Sequence, residues 1–284
     1  MLVCVGDLVE EILVRLRADP VRGGDAMVRS ARVRGGSAAN VAALDAEMGG
    51  SPRFVGKVGD DHVGHTLVED LRRRGVDSRV EFGGGTGVIV TMIGKGGRSR
   101  LIDRGASRRL SGIDPSVLEE ADHLYLAAGA FTDDPLASAV DRLLGDVADR
   151  RLPVSIGGPT ATELESIGAE PFLQLCATMR PAHVVMNRVE HSGLGLAARE
   201  AIAGATVTVV TNGRRPTLVM EGHDVRAVEV PPVDDILDRT GAGDGFMAGF
   251  LASRRRGADA VAAVHAGHRV AARVLRRLGP TALG

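Results

Sequence analysis

An α/β fold, with a mostly parallel central sheet covered by helices on both faces, is predicted for this 284-residue chain by three observations. From Asp122 onward, short apolar runs at 123–127, 153–156, 183–186 and 206–210 alternate with longer stretches of helical period, as in strands buried on both faces and joined by crossover helices. Those runs end in small or polar clusters, Gly157-Gly158-Pro159-Thr160, Asn187 and Thr211-Asn212-Gly213, and ligands of such sheets bind at the carboxyl ends of the strands. Before Asp122 the pattern differs: 12–17, 26–33, 88–93 and 99–103 alternate apolar with polar residues, like strands with one wet face.

Taken in order, Leu2 to Val5 is an apolar run closed by Gly6-Asp7, a buried strand opening into a site. The 12–17 and 26–33 segments flank a turn at 20–24. Gly35-Gly36 precedes an Ala-rich helix that ends at Gly49-Gly50, glycine being a common helix terminator. Phe54 to Val58 is the next strand, followed by a helix carrying Val63, Leu67 and Leu71 on one face with Arg72 to Arg74 at its end. His62 and His65 beside Asp60 and Asp61 form a solvated helix start, since neither H-E-x-x-H nor a cysteine partner accompanies them. Gly83 to Gly87 is a flexible connection, and 88–93 pairs with 99–103 across 94–97. Asp134-Pro135 opens a helix through Leu136, Val140, Leu143 and Val147. Further helices are expected at 162–177 and 189–203, β-like segments at 217–221 and 225–230, and two final helices at 240–255 and 258–277.

Composition narrows the partners. Acidic and basic residues nearly balance, with a formal net charge of −1 and a pI near 6.7, so nothing argues for nucleic acid or an anionic membrane. A small molecule is expected. Lys57 and Lys95 are the only lysines, and neither lies in G-x-x-x-x-G-K-S/T, which excludes a P-loop NTPase. Two cysteines, Cys4 and Cys176, are too few for a disulfide framework and fit a reducing cytoplasm. No apolar run approaches the roughly 18 to 20 residues of a membrane span.

Chemistry concentrates at Asp238 to Phe250, DRTGAGDGFMAGF. Gly241, Gly243 and Gly245 stand just ahead of an apolar helical run, so backbone N–H groups can crowd around an anion at the helix start. A carboxylate beside a bound phosphate is costly unless it acts, and accepting a proton from an attacking hydroxyl is such an act. Asp244 is therefore the candidate general base.

This stretch resembles the D-T-x-G-A-G-D signature of the ribokinase-like, or PfkB, carbohydrate kinases, and the other family segments follow in order. Gly35-Gly36-Ser37-Ala38-Ala39-Asn40-Val41-Ala42 resembles G-G-x-x-x-N-x-A. Val58-Gly59-Asp60-Asp61 with Gly64 resembles V-G-x-D-x-x-G, Asn187 to Glu190 the N-x-x-E motif, and Thr211-Asn212-Gly213 the T-x-G. One departure stands out. Where many members have D-x-N-x-R, this chain has Ser155-Ile156-Gly157-Gly158-Pro159-Thr160, which argues against the fructose-type and keto-deoxygluconate-type branches.

The resemblance implies a single kinase domain over 1–284, a three-layer α/β/α sandwich whose small β lid is formed by about 12–34 and 87–104. It implies transfer of the ATP γ-phosphoryl group to a hydroxyl, a hydroxymethyl group, of a small sugar. Asp244 would be the base, and the N–H groups of Gly241, Ala242 and Gly243 would hold the phosphoryl oxygens. Asp7, Glu11, Gly35, Gly36 and Asn40 would hold the acceptor. Asn187, Glu190, Thr211, Gly213, Thr240 and His268 would face the nucleotide, with Asn187 and Glu190 holding Mg2+ mostly through water; a monovalent cation is a further candidate. Scarce aromatics, Tyr125 and six phenylalanines, favour a sugar over a nucleoside, whose base is gripped by stacking. A nucleoside kinase and a non-catalytic sugar or nucleotide sensor are the alternatives. Exposed lid edges allow a homodimer.

Overall fold

The computed structural model describes residues 1–18, 22–95 and 97–283. The large sheet takes six of its seven parallel strands from the apolar runs: β1 (Leu2–Val5), β4 (Arg53–Val58), β8 (His123–Ala127), β9 (Val154–Gly157), β10 (His183–Asn187) and β11 (Val207–Asn212). An edge strand, β5 (Asp77–Phe82), pairs parallel to β4, and β12 (Arg215–Glu221) and β13 (Asp224–Val228) add an antiparallel edge. The spatial order is β13-β12-β11-β10-β9-β8-β1-β4-β5. The strand order reverses at β1, with β4 on one side and β8 on the other. Such a reversal leaves a crevice beyond the carboxyl ends of the strands.

Successive side chains of a strand point to opposite faces, and the buried residues divide accordingly into two cores. On one face Leu2, Cys4, Phe54 and Val209 pack against α1 (Ser37–Glu47), α2 (His62–Arg73), α7 (Ala242–Arg255) and α8 (Ala260–Leu275). On the other, Val3, Val5, Leu126 and Ile156 pack against α3 (Leu136–Asp149), α5 (Ala169–Met179) and α6 (Arg188–Gly193). The α7 helix is buried along Gly245 to Ser253, and each large apolar side chain there contributes about 1.5–3 kcal/mol. That anchorage fixes the glycine loop that opens it.

A second, four-stranded sheet of order β3-β2-β6-β7 stands apart. It comprises β2 (Val9–Leu16), β3 (Val28–Gly35), β6 (Thr86–Gly94) and β7 (Gly97–Gly105). Along β2, Val9, Glu11 and Leu13 turn inward. Part of the turn expected at 20–24, and Gly96 in the β6–β7 connection, lie outside the described residues.

Three expectations are corrected. The stretch at 162–177 is two helices, α4 (Ala161–Ile167) and α5, separated at Gly168. The helix expected at 189–203 stops at Gly193, because the polypeptide turns around Gly195. β5 was not expected. Its outward-facing charges, Arg79 and Glu81, suit an edge strand.

Candidate active site

A cleft of about 660 Å³ lies beyond the carboxyl ends of β1, β8, β9 and β10, between the two sheets. Asp244, in the first turn of α7, lines it. Loss of water pushes the Asp244 carboxyl up to about 6, Asn40 and Ser37 pull it down, and the Glu11 charge raises it further. The helix dipole favours an acid at this position, yet desolvation wins. A carboxyl poised near neutrality can be a base at physiological pH and an acid once it holds a proton.

The loop before α7 is fixed from two sides. Asp238 accepts from the Thr240 N–H at 3.2 Å, the Thr240 hydroxyl at 3.1 Å and the Gly279 N–H at 3.0 Å. Gly241 has φ 78°, and a Cβ there would lie 2.4 Å from Pro280 Cβ, so only glycine fits. Among the described residues, the N–H groups of Gly241, Gly243 and Asp244 have no acceptor within the chain. The Ala242 N–H points instead to the Arg239 carbonyl at 3.3 Å, and Ala242 does not line the cleft. Of the three amides expected to cradle the anion, those of Gly241 and Gly243 have no acceptor among the described residues, and that of Ala242 closes the turn.

At the acceptor end, Asn40 Nδ2 donates to Asp244 Oδ2 at 2.8 Å. Its Oδ1 accepts from the buried Arg34 at 3.1 Å. Glu11 is 4% exposed and accepts from the Thr91 hydroxyl at 2.6 Å; it faces the cleft, while its neighbour Glu10 pairs with Arg32 on the other face. Gly36 also lines the cleft, with φ 95° and a virtual Cβ 2.1 Å from the Asp7 carbonyl. Gly35 does not line the cleft; a Cβ there would meet Val9 and Glu11 at 3.0 and 3.1 Å, so it is a spacer in β3.

Asp7 reaches the cleft already engaged. Arg104 of β7 donates to both of its oxygens, at 2.7 and 2.8 Å, and to Asp133 at 2.7 Å. This pair ties the small sheet to the loops of the large one and was invisible in sequence, where Arg104 reads as an exposed strand charge.

The nucleotide-side residues divide. Asn187, Glu190, Thr211 and Thr240 line the cleft. Asn187 and Glu190 form a capping box on α6, with the Asn187 N–H donating to Glu190 at 2.8 Å and the Glu190 N–H to Asn187 at 3.0 Å. Loss of water raises the Glu190 carboxyl to about 7, with Glu163 and Asp244 adding to the rise. Glu163, Glu190 and Asp244 thus share one cleft, but among the described residues no three metal-ligating side chains gather closely enough to hold an ion by themselves, so an ion there would keep water for most of its ligands. Gly213 and His268 are corrections. Gly213 is an exposed turn residue between β11 and β12, outside the cleft lining. His268 is buried, bonded to the Thr217 hydroxyl at 2.9 Å and packed on the Phe246 ring. It supports the wall from behind. His62 and His65 are exposed on the side of α2, where His65 bonds Asp60 at 2.9 Å.

A model of the pfkB carbohydrate kinases matches residues 1–283. The chain belongs to that family. Its class of activity is phosphoryl transfer to an alcohol group, and the sheet, helices and small second sheet are the family's ribokinase-like architecture. The "Probable fructokinase-7" of Arabidopsis thaliana is 28% identical, over 89% of this chain and 78% of its own length. The adenosine kinase of Saccharomyces cerevisiae is 25% identical, over 88% and 79%. A ribokinase II-type protein of Escherichia coli, solved with ATP and Mg2+, superposes with a TM-score of 0.85, 20% identity and 98% and 94% coverage. Among the described residues of this kinase, no helix is long and apolar enough to cross a membrane.

Proposed function

We propose that the chain transfers the γ-phosphoryl group of ATP to a hydroxymethyl group of a small sugar or sugar derivative. The observation that carries this reading is the Asp244 carboxyl, held near neutrality beside two free amides at the start of a fourteen-residue helix. Asp244 takes the hydroxyl proton as the new oxygen–phosphorus bond forms and the bond from phosphorus to the departing ADP oxygen breaks. The Gly241 and Gly243 amides stabilise the equatorial oxygens. Asn40 keeps one Asp244 oxygen fixed, and Ser37 also bonds this carboxyl, which the acceptor hydroxyl would share. Glu11, Gly36 and Asp7 orient the acceptor. Asn187 and Glu190, with Glu163 nearby, would hold Mg2+ mostly through water, and the metal would supply neutralisation of phosphate charge.

The four-stranded sheet serves as a lid over the acceptor in one kinase domain spanning 1–284. Its closure excludes water. Among the described residues, the aromatic rings lining the cleft are Tyr125 and Phe246, from β8 and α7. The lid face offers Glu11, Thr91 and arginines, which supports a sugar before a nucleoside. Met27, Val28 and Leu101 are exposed on this sheet or beside its edge, in keeping with a homodimer through the lid; sedimentation of the free protein tests that. The buried free thiols of Cys4 and Cys176 accord with a cytoplasmic protein. ATP consumption over a panel of pentoses, hexoses and nucleosides tests the reading. Turnover by wild type and none by Asp244→Ala supports it, and an active Asp244→Ala sinks it.

A further inference from the structure

The strand β7 presents a charge pattern that a neutral sugar does not call for. Arg98, Arg100, Ile102 and Arg104, spaced two apart on β7, line the cleft, as does the intervening Asp103. Arg104 is consumed by Asp7 and Asp133. Arg98 and Arg100 have no ion-pair partner among the described residues. Arg100 lies opposite Thr91 across the β6–β7 ladder, and Thr91 donates to Glu11. It is thereby placed beside the carboxylate expected to take the acceptor's hydroxyls. Its Nε is buried and has no hydrogen-bond partner among the described residues. A buried guanidinium donor without an acceptor is costly, and Arg100 lines the cleft, where an anionic ligand could meet its guanidinium. The Arg100 charge is also felt at Asp244.

We propose that the acceptor sugar carries a fixed anionic group, a phosphate or a carboxylate, which Arg100 and Arg98 grip while its free hydroxyl meets Asp244. The proposal rests on the kinase reading above and adds the substrate class. A guanidinium fork matches the two oxygens of either anion. Glu11 and the anion lie on one lid face with Arg100 between them in charge, so a neutral sugar leaves the guanidinium unpaired and an anionic one completes it. The competing role for Arg100 is on the transferred phosphoryl group itself, and it makes opposite predictions.

The test compares matched acceptors, fructose, fructose 6-phosphate and gluconate, by ATP consumption with wild type, Arg100→Ala and Arg98→Ala. Wild type is expected to turn over an anionic acceptor with the higher kcat/KM. Arg100→Ala should lose about 10- to 100-fold on that acceptor, the size of one or two charged hydrogen bonds, with KM for ATP unchanged. Whether fructose 6-phosphate or gluconate responds identifies phosphate or carboxylate. The proposal is overturned if fructose is the best acceptor. It is also overturned if Arg100→Ala slows the fructose reaction as much as the anionic ones, the signature of a role on the transferred phosphoryl. A thermal-shift series with the same three compounds needs no turnover. Protection of wild type by an anionic compound beyond that by fructose, lost in Arg100→Ala, supports the arginine site even should no acceptor be phosphorylated, and equal shifts refute it. Failure of phosphorylation with anionic protection intact would count against the kinase reading alone.

Discussion

The same three strands, β8, β9 and β10, carry buried polar groups at both ends, and the two ends are treated in opposite ways. At the amino end His123 bonds the Ser155 hydroxyl at 2.7 Å, Ser155 bonds His183 at 2.8 Å, and Arg254 bonds the other His183 nitrogen at 3.0 Å. Burial lowers His123 to about 4 and His183 to about 3, so both rings stay neutral and the chain of bonds holds across physiological pH. Nearby, Arg255 and the N-terminal amine share Asp122. At the carboxyl end pairing is incomplete: Asp244 and Glu190 are raised although Asn40 and Asn187 bond them, and among the described residues the N–H groups of Gly241 and Gly243 and the Arg100 Nε have no partner. Closed pairing makes structure, and pairing left partly open makes a site.

Substitutions at the two ends should therefore separate activity from stability. Asp244→Asn should cost about 10² to 10⁴ in kcat and yet raise thermal stability at pH 8. A carboxyl raised from 3.8 to about 6 on folding stabilises the fold when protonated, and that contribution disappears as pH rises through 6. The charged form is therefore a burden of about 1–3 kcal/mol above that pH. Melting curves at pH 8 and pH 4 check it, since the advantage of the variant should shrink at the lower value. The wild-type kcat/KM should fall about tenfold per unit below pH 6; a flat profile from pH 5 to 8 would remove Asp244 as the base.

At the other end, Ser155→Ala strands two buried imidazole nitrogens and should destabilise by about 2–4 kcal/mol, with the activity of the folded fraction unchanged. Lost activity per folded molecule would erase the contrast between the ends. The smallest effect belongs to a group that holds a cleft residue from behind. Arg34 donates to Asn40, to Asp70 at 2.8 Å and to the Pro280 carbonyl at 2.9 Å. Arg34→Lys cannot reproduce that fork. It should lower kcat by about tenfold and move the acid limb of the pH profile upward, because a loosened Asn40 no longer favours the charged form of Asp244. A purely structural role would leave the limb where it is.

Tertiary pairs were illegible in the sequence, at the cleft as well as at the amino end, and the local motifs of the cleft were largely legible, for one physical reason. A site needs particular residues at fixed chain spacings, so Asp244 behind its glycines and Asn187 ahead of Glu190 announce themselves. Tertiary pairs draw on residues far apart in the chain: Arg104 meets Asp7 across 97 positions, and neither residue signals the other. The same limit misplaced His268, whose partner Thr217 lies 51 residues away, and the Ala242 amide, which a local turn consumes. Short-range punctuation misled where spacing alone was followed: apolar periodicity ran past Gly168 and Gly193, and the backbone did not.

The chain has no tryptophan and a single tyrosine, and Tyr125, in the middle of β8, lines the cleft. Ultraviolet emission excited beyond the phenylalanine absorption band therefore originates in one ring beside the proposed reaction chamber. A change in the intensity of that signal on titration with ligand would give an optical reading of occupancy without any label.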